Sequence, residues 1–343
     1  MDPLALLQEL VSIPGPPGGE EPVAVAIQAH VKKLGLKSSL DAKGNVLVPL
    51  GKSSAPRVVV TAHMDEIAMI VVGINVDGSI RVAPLGGLFA WKLGEGPVQI
   101  LTSTSPIDGV LSFGSIHTND PSSNPRRAEK AAIGWEMASV FTGQSAGDLI
   151  QCGVRPGSRV VVHPSRRNLL NMGQFVSGHF LDDRSDLVAW LLALDELKNE
   201  SLDVLFVASV SEEVGGHGAL YALQGLRPEV CIALELGPFV DDAPVQISDQ
   251  PTIWATDSYA SMSGADGDIL ERLGLELGMQ LQFQSLSRGG SDASCAASHG
   301  LCARPITIGI PMENSHGYEI IHPGAMANMA RLTVALLRFL EKG

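Results

Sequence analysis

The sequence predicts an α/β protein: an open, mostly parallel sheet with helices on both faces, interrupted by an inserted small β-barrel-like domain. Three observations carry this. Helix-like and strand-like segments alternate toward both ends of the 343-residue chain, the pattern of a sheet covered by helices. Between about residues 75 and 174 that texture gives way to short β-like pieces separated by Gly, Pro and Ser turns. The composition, 45% hydrophobic and 18% charged, is too apolar for a disordered chain. Because the alternating texture flanks the β-rich stretch on both sides, the α/β domain is expected to be discontinuous, 1–74 with 175–343, and the insertion to span 75–174.

Taken in order, residues 2–11 read as a short helix and lead into the Gly/Pro cluster IPGPPGGEEP at 13–22. Helical periodicity resumes at 23–35, where two lysines and a glycine mark the stop. A turn at DAKGN (41–45) precedes the strand-like runs VLVPL, RVVVTA and IAMIVV. The insertion contributes SIRVAP, GPVQILTS, GVLSF and SRVVVH, with a polar, loop-like segment at 118–130. Beyond it, DDRSDLVAWLLALDELK (182–198) sets Leu187, Trp190, Leu191 and Leu194 on one helical face. The strand DVLFVASV (203–210), the helix GHGALYALQGL, the strands VCIALEL (230–236) and PITIGI (305–310), and a last helix at 326–343 complete the pattern.

The 37 acids outnumber the 24 Lys and Arg residues and leave a formal charge of −13. That balance argues against nucleic acid or an anionic membrane as partner. No apolar run approaches the roughly 18 residues that cross a bilayer, and the start, MDPLALLQEL, lacks the basic region of a signal peptide. Cys152, Cys231, Cys295 and Cys302 are scattered without a C-x-x-C pair, as expected of reduced thiols. A cytoplasmic protein is the expectation.

In open α/β sheets, ligands bind beyond the carboxyl ends of the strands, so strand-ending residues are the candidates. RVVVTA runs into His63-Met64-Asp65, DVLFVASV into Ser211-Glu212-Glu213 and a Gly-Gly turn, and VCIALEL carries Glu235 near its end. PITIGI leads through a short turn to His316, and the long helix opens with Asp182-Asp183, read as a carboxylate N-cap arrangement. Five segments thereby deliver His, Asp and Glu to one rim. Converging carboxylates repel unless cations neutralise them or some take up protons. Two divalent ions about 3.5–4 Å apart, sharing a carboxylate, are the simplest solution. Within Glu212-Glu213 the neighbouring side chains diverge, so one can ligate while the other stays free as a general base. Asp65 is expected to accept the second ring N–H of His63.

His63-Met64-Asp65-Glu66, Leu181-Asp182-Asp183-Arg184, Glu212-Glu213-Val214-Gly215, Gly289-Gly290-Ser291-Asp292-Ala293 and the late His316, in that order, resemble the glutamyl/deblocking aminopeptidase family. These are co-catalytic metallopeptidases that often assemble as tetrahedral dodecamers, and the likeness runs through nearly the whole chain, insertion included. The resemblance implies that Asp182 bridges two metal ions, that His63 and Glu235 complete one site, and that Glu213 and His316 complete the other. It implies Glu212 as general base and Asp65 as the residue that orients His63. It also implies substrate contact through Gly289, Gly290 and Asp292, a peptide substrate, and a homo-oligomer anywhere from dimer to dodecamer, joined through the insertion. The ions are expected to be zinc, with cobalt or manganese suiting the same ligands. Two positions depart from the family pattern: Glu235 stands where Asp is more usual, and His217 where Arg often follows the Glu-Glu pair.

The leading expectation is therefore an aminopeptidase that uses a metal-activated water. A deacylase of N-acyl amino acids, or a hydrolase of a specialised dipeptide, would use the same residues. A binding or scaffold protein on the same fold has no need for a free Glu beside the ligands. Gly143-Gln144-Ser145-Ala146-Gly147 matches the G-x-S-x-G nucleophile pattern, but the helix expected after it is too short for an elbow. His179, His217 and His322 are expected either to line the substrate pocket or to serve capping or surface roles, and the Cys295 and Cys302 pair to pack in the core.

Overall fold

Four parallel strands, Val204–Ser209, Val58–His63, Val230–Pro238 and Arg304–Glu313, lie side by side in that order at the centre of an eleven-stranded sheet in the computed structural model, which describes residues 1–342. Their near-continuous apolar sequences follow from burial on both faces. Alternate side chains serve opposite layers. Val58, Val60 and Ala62 pack into a large cluster with Leu7, Leu10, Trp190 and Leu336, whereas Val59 and Val207 pack into a smaller one with Ala219, Leu223, Ala293 and Cys302. The margins are antiparallel: Val46–Pro49 pairs with Val204–Ser209, and Glu319–Ile321 sits between Arg304–Glu313 and Phe175–Gly178.

The helix Leu181–Leu197 runs through the large cluster. Leu187, Trp190, Leu191 and Leu194 are fully buried, as their spacing predicts, and each such side chain contributes about 1.5–3 kcal/mol by leaving water. Trp190 also donates its indole N–H to the Val60 carbonyl at 3.4 Å and meets Phe206 edge-on at 5.5 Å. The last helix is Gly324–Lys342; Gly343, the end of the expected helix, lies outside the described residues. The elements Thr252–Thr256, Gly264–Glu276, Gln282–Ser285 and Asp292–Ser298 occupy a span that periodicity leaves unassigned. No helix among the described residues is long and apolar enough to cross a membrane.

The chain divides into two units, Met1–Asp65 with Leu169–Gly343, and Glu66–Asn168. The second is a closed barrel of strands in the order Ala68–Ile74, Ile80–Leu85, Ser139–Phe141, Ile107–Ser112, Gly96–Ile100 and Arg159–Val162. Closure removes the exposed edges that short strands would otherwise present. Met69, Ile80, Val98, Ile100, Leu111 and Val140 are buried in this unit. Near its ends, the buried Arg167 guanidinium grips both oxygens of the buried Glu66 carboxylate, with Nη1 to Oε2 at 3.0 Å. The expected limits of the insertion, 75 and 174, are corrected by the pairing. Ala68–Ile74 is a barrel strand, while Leu170–Met172 already pairs with Phe175–Gly178 in the large sheet. An apolar run identifies a strand without revealing which sheet it joins. Ser145 is a helix cap: its hydroxyl accepts from the Asp148 N–H at 3.2 Å and donates to the Asp148 carboxylate at 2.6 Å.

Candidate metal centre

The strand Val58–His63 ends in the parallel core, so its last side chain emerges at the carboxyl rim. There His63 Nε2 stands 3.2 Å from Asp182 Oδ1, and His316 Nε2 stands 3.3 Å from Asp182 Oδ2. His316 Nε2 is also 3.6 Å from Glu213 Oε2. Two groups have ligand atoms within 4.8 Å of one another: His63, Asp182, Asp183 and Glu235, and separately Asp182, Glu213 and His316. Asp182 belongs to both, one oxygen facing each histidine. Glu212 belongs to neither; its Oε2 lies 4.0 Å from His63 Nε2.

Backbone bonds hold these segments in register. Asp65 Oδ1 accepts from the Glu212 N–H at 2.9 Å and Oδ2 from the Glu213 N–H at 3.1 Å. The Nδ1 atom of His63 faces the Asp65 carbonyl at 3.1 Å and its carboxylate only at 3.5 Å. The bond expected between the Asp65 carboxylate and the imidazole is thus the longer of two, because that carboxylate is turned toward the amides of the Glu-Glu turn. Asp182 and Asp183 depart from helical dihedrals and do not cap the helix. Asp183 Oδ2 instead accepts from the His63 N–H at 2.7 Å. Glu20, delivered by the Gly/Pro cluster, accepts from both the N–H and the hydroxyl of Ser211 at 3.1 Å. In the same cluster Gly15 has no room for a Cβ, which would meet Arg184 Nη2 at 2.8 Å.

Charge is concentrated here. Burial pulls the His63 imidazolium down, but Asp183, Asp182, Asp65 and Glu212 outweigh it and hold that histidine well above its ordinary range. Burial pushes Asp182 up, yet His316 and His63 reverse this and hold its carboxyl below the usual value. For Glu212 and Glu235 burial prevails and raises both well above the carboxylate range. Glu213 is pushed by burial to about 7, against the pull of His316. Glu213 Oε1 is buried without a hydrogen-bond partner. Hard oxygens and imidazole nitrogens in this arrangement fit a pair of divalent cations, and cations would relieve the same desolvation that otherwise forces protons onto the acids.

The remaining candidates are placed less centrally. Asp292 is buried, accepts from the Ser209 hydroxyl at 2.5 Å, and is raised by burial to about 6. Gly290 packs so closely on Tyr259 that a Cβ would come within 2.2 Å of the ring, and Gly289 has a φ of +88°. His179 is buried, with Nδ1 at 3.0 Å from the Gly317 carbonyl and its ring edge-on to Tyr318. His322 accepts from the Gly324 N–H at 3.1 Å, where the last helix begins. His217 is the exposed first residue of His217–Gln224. Cys231 and Cys302 pack in the smaller apolar layer. Sequence reasoning assigned no role to Glu20 or Glu319, and to Asp183 only that of a helix cap. The clearest available signal was the position of Glu319, three residues beyond His316, where the strand Glu319–Ile321 opens.

An open α/β sheet whose rim gathers two imidazoles and four carboxylates into two ligand groups has the arrangement that a metal-dependent hydrolase requires. Residues 44–332 match the family model described as M42 glutamyl aminopeptidase. The chain belongs to that family, and membership makes it a hydrolase of peptide bonds. The lysyl aminopeptidase of Pyrococcus furiosus is 30% identical over 233 residues, a match covering 67% of this chain and 65% of that relative. This chain therefore spans just under two thirds of that relative's length. The glutamyl aminopeptidase of Lactococcus lactis is 24% identical over 330 residues, covering 92% and 90%. Among solved structures, the TET1 peptidase of Pyrococcus horikoshii, described as able to assemble into a tetrahedron or a large octahedral shell, aligns with a TM-score of 0.86 at 26% identity, covering 98% of this chain and 99% of that one.

Proposed function

We propose that this protein is a two-metal aminopeptidase that releases N-terminal residues from peptides, with Glu212 as its general base. The observation that carries the reading is the position of Asp182, whose two oxygens face His63 and His316 at 3.2 and 3.3 Å. In this reading His63, Glu235 and Asp182 hold one ion, zinc in the first instance, and Glu213, His316 and Asp182 hold the other. Divalent ions supply Lewis acidity there, polarising the scissile carbonyl and making water acidic enough to ionise near neutral pH. The chain supplies the proton path. Glu212 Oε2, beside His63 but outside both ligand groups, takes the proton from the attacking water and returns it to the leaving amine. Asp65 fixes the aim of that carboxylate through the Glu212 amide. The Gly289-Gly290 loop beside Tyr259, with Asp292, is the proposed substrate contact.

The test is a panel of aminoacyl chromogenic substrates and N-acyl amino acids, assayed with zinc, cobalt and manganese in turn. Turnover of free-amine substrates is expected, dependent on added metal. Activity confined to N-acyl compounds would reject the aminopeptidase reading. The relative described as assembling into closed shells supports a homo-oligomer; a cytoplasmic location and joining through the barrel unit are part of the same proposal. Light scattering at micromolar concentration is expected to return a mass several times that of one chain; a monomer there would refute the assembly.

A further inference from the structure

Two segments that carry ligands of the second ion meet at a buried acid that the proton path leaves unused. Glu319 is 1% exposed and belongs to neither ligand group. Its Oε2 accepts from the N–H of Asp182 at 3.1 Å, and its Oε1 accepts from the N–H of His316 at 2.9 Å. One carboxylate therefore grips the backbones of the two residues whose side chains approach to 3.3 Å. Glu319 is itself fixed by the sheet. It opens the strand Glu319–Ile321, pairs with Gly178, and its carbonyl accepts from the Ser177 hydroxyl at 2.7 Å.

The backbones it grips need holding. His316 has a φ of +61° and Phe180, two residues before Asp182, has a φ of +65°, in the left-handed region that side chains with a Cβ disfavour. Strained dihedrals persist only where their surroundings over-determine them, and a hydrogen bond from an amide to a carboxylate is among the stronger ways to do so. The two halves of the site differ in this respect. The His63 amide is anchored by Asp183, and Glu235 rises from a central strand of the parallel core. His316 sits instead in a turn with its side chain 32% exposed.

We propose that Glu319 is the positioning residue that sets the metal affinity of the Asp182, Glu213 and His316 half of the site. The inference rests on the two-ion reading above and deepens it, since it assigns the weaker ion to one half and names what controls it. Residues that orient ligands without touching metal characteristically change affinity by roughly 10–100-fold when removed. Glu319→Gln keeps the shape but offers one acceptor oxygen and turns an N–H donor toward the other amide.

Calorimetric titration of metal-stripped protein with Zn²⁺ tests this without relying on activity. Wild-type protein is expected to take up two ions. In Glu319→Gln the tighter ion is expected to bind within about threefold of wild type, and the weaker ion roughly 10–100-fold less tightly. His316→Ala, which deletes the ligand, is expected to lose that same step. Raising free Zn²⁺ by the lost factor is expected to restore the turnover of Glu319→Gln with KM unchanged. Glu319→Asp, which keeps the charge at shorter reach, is expected to fall between and guards against a Gln variant that misfolds. If both ions bind Glu319→Gln as they bind wild type, the inference is wrong. It is equally wrong if both weaken together while the metal-free variant melts earlier and excess Zn²⁺ restores nothing. A wild-type protein that takes up one ion would instead overturn the two-ion reading, and this inference with it.

Discussion

Glu212→Gln is expected to lower kcat by about 10²–10⁴-fold, the range contributed by a positioned general base, with KM changed by no more than a few-fold. The substitution keeps the size of the side chain and its backbone bond to Asp65, and removes only the ability to accept a proton. Because Glu212 stands outside both ligand groups, metal content is expected to stay at two ions per chain. Glu213→Gln supplies the contrast. Glu213 Oε2 lies 3.6 Å from His316 Nε2, so that variant is expected to lose an ion as well as activity. Steady-state kinetics beside elemental analysis separates the two. A Glu212→Gln enzyme within tenfold of wild-type kcat would remove Glu212 as the base, and one that has lost metal would make Glu212 a ligand.

The difference between these adjacent glutamates is written partly in the sequence and partly not. His63, Asp182, Glu213, Glu235 and His316 are legible because each is a polar residue set abruptly at the end of an apolar strand, at the opening of a buried helix, or in the turn that follows. In an α/β sheet those are the positions that face a ligand. The carboxylates that hold backbone amides follow no such rule. Glu319 reaches Asp182 across 137 residues, and Glu20 reaches Ser211 across 191. A backbone N–H has no side-chain identity for a pattern to detect, so which acid serves it depends on the tertiary approach of distant segments. Asp183 is visible as part of a motif, but nothing in the pattern separates a carboxylate aimed at the distant His63 amide from one that caps its own helix. The Gly/Pro cluster likewise reads as a loop, whereas the fold uses it to seat Gly15 against Arg184 and to carry Glu20 to Ser211. In the fold itself, the parallel core and its buried central helix follow from apolar periodicity. The change of sheet at Ala68–Ile74 does not, since its apolar run AMIVVGI reads like the runs of the parallel core.

Removing the metal is expected to produce the larger change in stability, and to do so in a pH-dependent way. At a free concentration about 1,000 times its Kd, one bound ion stabilises the folded state by roughly 4 kcal/mol, so two contribute about 8. At about 2.1 cal/mol/K per residue this is a shift in Tm of roughly 10 °C for a chain of this length. The metal-free protein carries the opposite burden. Glu213 is raised by burial to about 7, and Glu212 and Glu235 are raised well above the ordinary carboxylate range. A carboxyl whose pKa is higher folded than unfolded adds stability that is complete below about pH 4.5 and is lost as pH rises through its folded value. His63, also raised, acts in the same direction. Asp182 is lowered, and its contribution is lost only in acid, below this window. The chelated protein is therefore expected to melt progressively earlier between pH 5 and pH 8. Metal displaces the same protons, so its stabilising effect is expected to grow over that interval. Asp186 and Asp292, pushed by burial to about 7 and about 6, slope the same way but belong to neither ligand group. The gap between melting curves with and without Zn²⁺ thus isolates the ligands, where either curve alone would not. A gap that is the same at pH 5 and pH 8 would mean that these carboxylates and imidazoles do not exchange protons for metal, and the centre would have to be sought elsewhere in the chain.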